Sequence, residues 1–459
     1  VNVTVHVALY GWVVVALALF ALLPARRAML VSFLGGWLFL PVVRLPMAGL
    51  PDVTKYTVIA LATLLGAAVF DGSRLLSFRA RWFDALPLLW CLWPIPSALA
   101  NDMGLYEGLA ASLAHFYMQG IPYFLGRVYF RERASLPDLL VGIAAAALVY
   151  VPLCWYELRM SPTLHRTVYG VQYGMFEQTR RGEGWRPQVF TEHGLVVGML
   201  LTTGALAALG LWLLRDRRRV LVVSAGAATA LLVGTALLAR SVGAIALLLF
   251  GSAALLASRR GRATWPVWAL LAAAPGYVVL RATGTLRAEP LVSVVGEVAN
   301  PQRTESFAVR VRSEDPLVAK AKERMLLGWG PWGRYREDDG GADLVKFTDG
   351  QWIIAMGKYG VAGLVLLFGT FLVPAVLALR RRARSEADLG LVAASAIIGI
   401  YLLDLVMNST SPTLFGIVAG ALGSAAFSAA GPARPPAARG GSPVLAAPLA
   451  RPGRAAGRP

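Results

Sequence analysis

Long apolar runs alternate with polar connections through almost the whole chain. Roughly 13 of these runs are long enough for a helix to cross the hydrocarbon of a bilayer, which takes about 20 apolar residues. The pattern places spans at Val5–Leu23, Ala28–Val43, Thr54–Phe70, Leu86–Ala100, Gly108–Gly126, Leu139–Trp155 and Gly194–Leu214. Further spans fall at Val220–Ala239, Val242–Ala257, Thr264–Leu280, Trp352–Leu379, Leu389–Met407 and Leu414–Ser428. Lipid offers no partner to backbone N–H and C=O groups, so runs of this kind must be helical. The chain is therefore predicted to be an all-α polytopic membrane protein with about 12–13 transmembrane helices. The first run has no basic segment ahead of it and reads as a retained anchor more than a cleaved signal.

Composition agrees with the pattern. The 459 residues are 57% hydrophobic and 15% charged, with a mean hydropathy of +0.59, well outside soluble globular usage. The net charge of +18 lies in short clusters between apolar runs, not along one face, which argues against a nucleic-acid partner. Cys91 and Cys154 both sit inside apolar runs and read as free buried thiols.

The charge clusters also set a direction. Every second short connection is basic: Arg26 and Arg27; Arg74, Arg79 and Arg81; Arg127, Arg131 and Arg133; Arg215 with Arg217–Arg219; Arg259, Arg260 and Arg262; Arg380–Arg382 with Arg384. The positive-inside rule makes these cytoplasmic and puts the amino terminus outside and the carboxyl terminus inside. Both long connections, 158–193 and 283–350, then face outward. The chain divides into a first bundle over residues 1–282, a large and partly helical periplasmic loop over 283–350, a second bundle over 351–428, and a disordered basic cytoplasmic tail over 429–459.

Chemistry is expected where the long loops meet the membrane. Arg186 and His193 bracket the entry to a span, and Arg240 sits in the tight outer turn Ala239–Gly243, where arginine is otherwise disfavoured. Guanidinium groups suit phosphate because they bind it bidentately. In the large loop, Ser313-Glu314-Asp315-Pro316 carries the signals of a helix start, predicting an amphipathic helix to about Leu327 with Leu317, Ala321 and Met325 on one face and lying along the membrane surface. A helix starting earlier would allow Arg310 to pair with Glu314. Glycine and tryptophan then alternate through Gly328-Trp329-Gly330-Pro331-Trp332-Gly333, ahead of Arg334, with Trp352 opening the next span. Tryptophan faces fit both sugar stacking and the lipid interface. Asp349 ends the loop as a helix cap or as a base for an attacking hydroxyl. The acids Glu337, Asp338, Asp339 and Asp343 match no metal-ligand spacing and read as a solvated turn, and no metal or other cofactor is expected. Few ionisable residues lie at mid-span; Asp404, one turn from a span end, reads as a cap or an intrabundle hydrogen bond.

Three stretches carry a family resemblance: Arg186-Pro187 through His193-Gly194, then Arg240-Ser241, then Arg310 to Gly363 with Leu326-Leu327-Gly328-Trp329-Gly330-Pro331-Trp332-Gly333 and Gly360-Val361-Ala362-Gly363. They are similar to motifs of the O-antigen ligase and O-antigen polymerase-like superfamily of bacterial membrane glycosyltransferases. Ligases of that superfamily typically carry His-Asn at the end of the large loop, where this chain has Asp349-Gly350. The resemblance implies a metal-independent, GT-C-like fold in the bacterial inner membrane that transfers or polymerises a glycan from polyprenyl pyrophosphate onto a glycan or lipid acceptor, with inversion. Asp349, His193 and Arg310 are then the catalytic candidates, and Arg186, Arg240, Arg334, Glu314, Trp332 and Trp352 the substrate-binding ones, with Arg186, Arg240 and Arg310 expected together to hold the departing diphosphate. The rival expectation is a lipid-linked oligosaccharide flippase or polysaccharide exporter, which binds the same donor without transforming it. Against it stands the absence of a repeat with matched half-helices. A structural partner in an envelope complex would instead tolerate loss of the arginines.

Overall fold

A computed structural model describes residues 2–428 except 48, 175, 216–218, 262, 299–300, 338–348 and 383–387. The predicted tail over 429–459 and the acids Asp338, Asp339 and Asp343 lie outside the described residues. The predicted spans fall on helices, Leu86–Ala100 and Gly108–Gly126 on two in succession each: α1 (Val3–Leu22), α2 (Ala25–Phe39), α3 (Lys55–Leu76), α4 (Ala85–Leu92), α5 (Pro94–Leu99), α6 (Leu105–His115), α7 (Ile121–Tyr129), α8 (Leu136–Met160), α10 (Gly194–Leu213), α11 (Ala225–Leu238), α12 (Val242–Gly261), α13 (Trp265–Ala282), α16 (Gln351–Arg380), α17 (Leu389–Met407) and α18 (Thr413–Ala425). The connections add α9 (Leu164–Tyr169), α14 (Ala288–Val298), α15 (Pro301–Glu323) and two antiparallel hairpins, β1 (Arg44–Met47) with β2 (Leu50–Thr54) and β3 (Arg180–Arg181) with β4 (Gly184–Trp185). Among the described residues, 7 helices are long and apolar enough to cross a membrane, and shorter apolar helices lie at Ala225–Leu238, Val242–Ser258 and Thr413–Ala425. The protein is an all-α membrane protein.

The bundle is layered around α10 and α17. α10 and α17 are 94% and 89% buried by protein over their apolar windows, whereas α1 is 22% buried and leaves half of its Val and Leu side chains exposed. Apolar association gains little inside lipid, so close helix contact there rests on small residues. α7 and α18 show it: a Cβ on Gly126 would lie 2.2 Å from the Ile417 carbonyl oxygen, and one on Gly420 2.1 Å from that of Tyr123.

The two ends of the bundle differ. At one, arginines from separate connections lock together: Arg26 with Asp138, Arg127 with Asp84 and Ser424, Arg133 with Asp388 and the Arg381 carbonyl, and Arg131 with the Arg74 carbonyl. At the other, the long connections fold over the helix ends. The 158–193 connection is pinned by Glu157, a fully buried carboxylate accepting the N–H groups of Leu164, Gln188 and Val189 at 3.1, 2.8 and 2.7 Å. His165 adds a stitch, accepting from the Val42 N–H through Nε2 while Nδ1–H donates to the Val171 carbonyl.

Two expectations are corrected here. The span read as continuous over Leu86–Ala100 is two helices, broken at Trp93-Pro94. The helix expected to begin at Ser313 begins instead at Pro301, where proline suits a first helical position, and carries Pro316 in its interior. Local start signals lose because Ala308, Val311, Leu317, Val318 and Ala321 form one buried stripe, and burying it outweighs the hydrogen bond lost at proline. Leu317 and Ala321 share that face as expected, but Met325 lies beyond the helix end and is exposed. Arg310 and Glu314 do not pair with each other; Arg310 bonds Asp349 and Glu314 bonds Arg281.

The structural centre of the long-loop end is a break in α16. Gly360 takes φ 69° and ψ −172° within an otherwise helical run, a conformation open to glycine and closed to L side chains. The carbonyls freed at the break all find donors: Gly357 takes the Trp329 N–H at 2.9 Å, Lys358 takes the Gly330 N–H at 3.0 Å and Ser97 Oγ at 2.9 Å, and Tyr359 takes Trp93 Nε1 at 3.0 Å. The Val361 N–H in turn donates to the Met325 carbonyl at 2.7 Å. A Cβ on Gly360 would stand 2.3 Å from the Leu326 carbonyl oxygen, so Gly360→Ala is expected to destabilise the fold by about 2 kcal/mol or more. Gly276, with open space around its Cβ position inside α13, should accept alanine within about 1 kcal/mol. Thermal unfolding of the two variants in the same detergent checks the contrast.

Candidate functional site

A cavity of about 1160 Å³ opens at the long-loop end of the bundle. Its wall is assembled from the β1–β2 hairpin and the start of α3, from α6, from the 173–196 connection, from α15, from Pro331 and Trp332, from the entry and break of α16, and from Asn408–Ser411. Of the residues singled out in the sequence, Asp349, His193, Arg310 and Trp332 line it.

Arg310 Nε donates to Asp349 Oδ2 at 2.8 Å, tying α15 to the entry of α16 with both side chains partly exposed. His193 caps α10, its Nδ1 accepting the Leu195 N–H at 3.1 Å. That bond assigns the ring proton to Nε2, which makes His193 a hydrogen-bond donor at neutral pH and not a base. Burial pushes its pKa down to about 4, and the charges of Arg186, Arg181 and Arg310 act the same way, against Asp349. Trp332 is 55% exposed, and its Nε1 donates to Glu107 Oε2 at 3.1 Å, which fixes the ring at the cavity rim.

Of the three arginines expected to gather around a diphosphate, Arg310 lines the cavity and Arg186 and Arg240 do not, and other sequence candidates also stand outside the lining. Arg240, at φ 53° in the α11–α12 turn, lies against Gly184 and donates to the Arg181 carbonyl at 2.8 Å, holding the β3–β4 hairpin whose Arg181 reaches the cavity. Arg186 is buried beside Gly194, close enough to His193 to act on its charge. Arg334 ties its loop to the Asn101 carbonyl at 2.8 Å. Glu314 and Trp352 belong to a buried knot: Glu314 Oε2 accepts Tyr277 Oη at 2.7 Å and Arg281 Nε at 2.8 Å, and its Oε1 accepts Trp352 Nε1 at 3.1 Å. Burial pushes the Glu314 carboxyl up, and the hydrogen bonds from Tyr277 and Arg281 hold it down.

The sequence reading missed a second carboxylate. Glu192 Oε1 accepts Lys55 Nζ at 3.0 Å and Tyr56 Oη at 2.5 Å, while Oε2 is buried with no hydrogen-bond partner among the described residues. Lys55 itself is 1% exposed and also donates to the carbonyls of Trp37 and Phe190. Lys55, Tyr56 and Glu192 all line the cavity, as do Lys358 and Arg44. Arg44, Lys55 and Glu192 stood in the sequence as charges beside span entries, where snorkelling or solvation is the ordinary explanation, and Lys358 lay inside the predicted span Trp352–Leu379. Asp404 underlies the remaining wall, accepting Asn408 Nδ2 at 2.7 Å and the Thr410 hydroxyl, so it shapes the 408–411 turn as a local hydrogen-bond anchor. Among the described residues no three His, Cys, Asp or Glu side chains converge as a metal site. The cavity offers carboxylates, hydroxyls and cations side by side, an arrangement suited to a polyhydroxylated ligand bearing negative charge.

Two outcomes separate support from lining. Glu314→Ala leaves Arg281 buried with only the exposed Asp315 as a carboxylate partner and is expected to cost about 3 kcal/mol, read as a fall in melting temperature in the purified protein. His193 carries a folded pKa of about 4 against an ordinary value of 6.5, so the unfolded chain binds the proton first and stability is lost as pH falls from 6.5 toward 4. His193→Asn keeps a capping oxygen and should flatten that loss between about pH 6.5 and 5 in melting curves taken across the range.

Sequence comparison finds no protein-family model and no curated protein that matches this chain.

Proposed function

We propose that the cavity transfers a glycan from a polyprenyl diphosphate carrier to an acceptor hydroxyl, as the resemblance to the O-antigen ligase and polymerase-like superfamily implies. On this reading the bundle has roughly 13 spans of about 20 residues in a GT-C-like arrangement. It lies in the inner membrane of a bacterium, with the cavity end periplasmic and the arginine-rich end cytoplasmic. The observation that supports it best is the Arg310–Asp349 pair inside a cavity that also holds His193, Trp332 and the Glu192 carboxylate.

The chemistry needs little more than those groups. The acceptor oxygen bonds to the anomeric carbon as the bond from that carbon to the diphosphate oxygen breaks, and the electron pair leaves on the diphosphate. Asp349 Oδ2 is occupied by Arg310, which leaves Oδ1 to take the acceptor proton. A single displacement of this kind inverts the anomeric centre. His193 Nε2–H supplies a neutral donor to a sugar or phosphate oxygen, and the fixed Trp332 ring supplies a face for a sugar. Arg240 acts at one remove, by holding the hairpin that carries Arg181.

Purified protein given a labelled polyprenyl diphosphate-linked glycan and an acceptor should release free polyprenyl diphosphate. Asp349→Asn should lower that release by about 100-fold or more, with Arg240→Ala costing far less because Arg240 lies outside the cavity lining and bonds the Arg181 backbone carbonyl. Binding of the donor with no release from the unmodified protein would mean a carrier that moves the lipid, and the transferase reading would fall.

A further inference from the structure

The cations of the cavity are unequally committed. Arg310 is neutralised by Asp349 and Lys55 by Glu192, so neither is a spare counter-charge. Lys358 and Arg44 line the same cavity, and neither makes an ion pair or hydrogen bond through its side chain among the described residues. Each lies in the other's electrostatic field, and Arg336 adds to the positive charge at Lys358. Asp52, on the other strand of the hairpin, and Glu107, which accepts Trp332 Nε1–H, also line the cavity, but among the described residues neither forms an ion pair with Lys358 or Arg44.

The position of Lys358 is built. It is the third residue of the Gly357–Gly360 segment at the break in α16, counting back from Gly360, and its own carbonyl is held by both Gly330 N–H and Ser97 Oγ. His115 and Tyr359 pack beside it, the Tyr359 hydroxyl facing His115 Nε2 at 3.5 Å, and both line the cavity. Two like charges gathered on a half-enclosed wall repel each other, and the arrangement is relieved by a ligand that brings negative charge. A diphosphate ester fits: it carries several anionic oxygens, guanidinium binds two of them at once, and ammonium serves as a point charge on the rest.

We propose that Lys358, at the break of α16, and Arg44, at the start of β1, form the seat for a diphosphate group, with Arg310 serving to orient Asp349 instead of binding phosphate. This rests on the proposed transfer reaction for its biological setting, but the seat itself is a binding site and is tested as one. A diphosphate can come from a lipid head group or from free pyrophosphate, and the two are separated by competition.

The test is equilibrium binding of radiolabelled polyprenyl diphosphate, without a glycan, to the full chain in nanodiscs. Lys358→Met and Arg44→Gln should each weaken binding by about 10-fold or more, Lys358→Arg should restore it to within about 3-fold, and Arg310→Gln should change it by less than about 3-fold. Polyprenyl diphosphate competing far better than inorganic pyrophosphate assigns the seat to a lipid head group; equal competition assigns it to free diphosphate. Unchanged binding in both Lys358→Met and Arg44→Gln, or a loss confined to Arg310→Gln, overturns the proposal. Should Lys358→Met fail to fold, the exposed hairpin residue Arg44 carries the test alone. Intact Lys358-dependent binding with no glycan transfer would sink the transferase and spare the seat. Intact transfer with neither variant affecting binding would sink the seat and spare the transferase.

Discussion

A helix interrupted inside a membrane protein must find partners for the backbone groups it frees, because lipid supplies none. At Gly360 that requirement ties α16 to a segment far away in sequence, through the N–H groups of Trp329 and Gly330 and the side chains of Ser97 and Trp93. The large loop is therefore fastened to the bundle by hydrogen bonds that cannot be given up cheaply. Its glycines and its tryptophans divide the work: Gly328 and Gly330 take positive φ and let the two backbones approach, while Trp329 lies under the side chains of Lys320 and Arg324 and clamps the end of α15.

The fastening positions the cavity. With the loop docked, α15 delivers Arg310 to Asp349 and the next residues bring Trp332 to Glu107. On the opposite wall the 158–193 connection is secured by Glu157, and its end delivers Glu192 and His193. The catalytic candidates thus stand on segments whose own backbones are held by buried carboxylates and carbonyls, the kind of support that keeps reacting groups in register.

Much of this was legible in the sequence, for a simple reason. Spans declare themselves because about 20 apolar residues in a row have few other uses; Asp349 and His193 stood out as polar residues at span mouths, Arg310 in the basic cluster of the large loop, and Trp332 in its glycine and tryptophan run. What stayed hidden depends on tertiary contact. The run Trp352–Leu379 reads as one uninterrupted span, since nothing in Gly357-Lys358-Tyr359-Gly360 marks which glycine will leave the helix. The Ser313-Glu314-Asp315-Pro316 signal misled because Glu314 is claimed by Tyr277, Arg281 and Trp352, none of them local. Lys55 and Glu192, far apart in sequence, find each other only after folding, and Arg240 shows that an arginine in an unfavourable place can be serving a backbone carbonyl instead of a ligand.

The turn at Asn408–Ser411 has a bearing on biogenesis. Helices enter a bilayer in the order they are synthesised, and this turn, shaped by Asp404, joins α17 to α18. The chamber therefore stays unwalled on one side until translation has passed the turn and α18 has closed against α7.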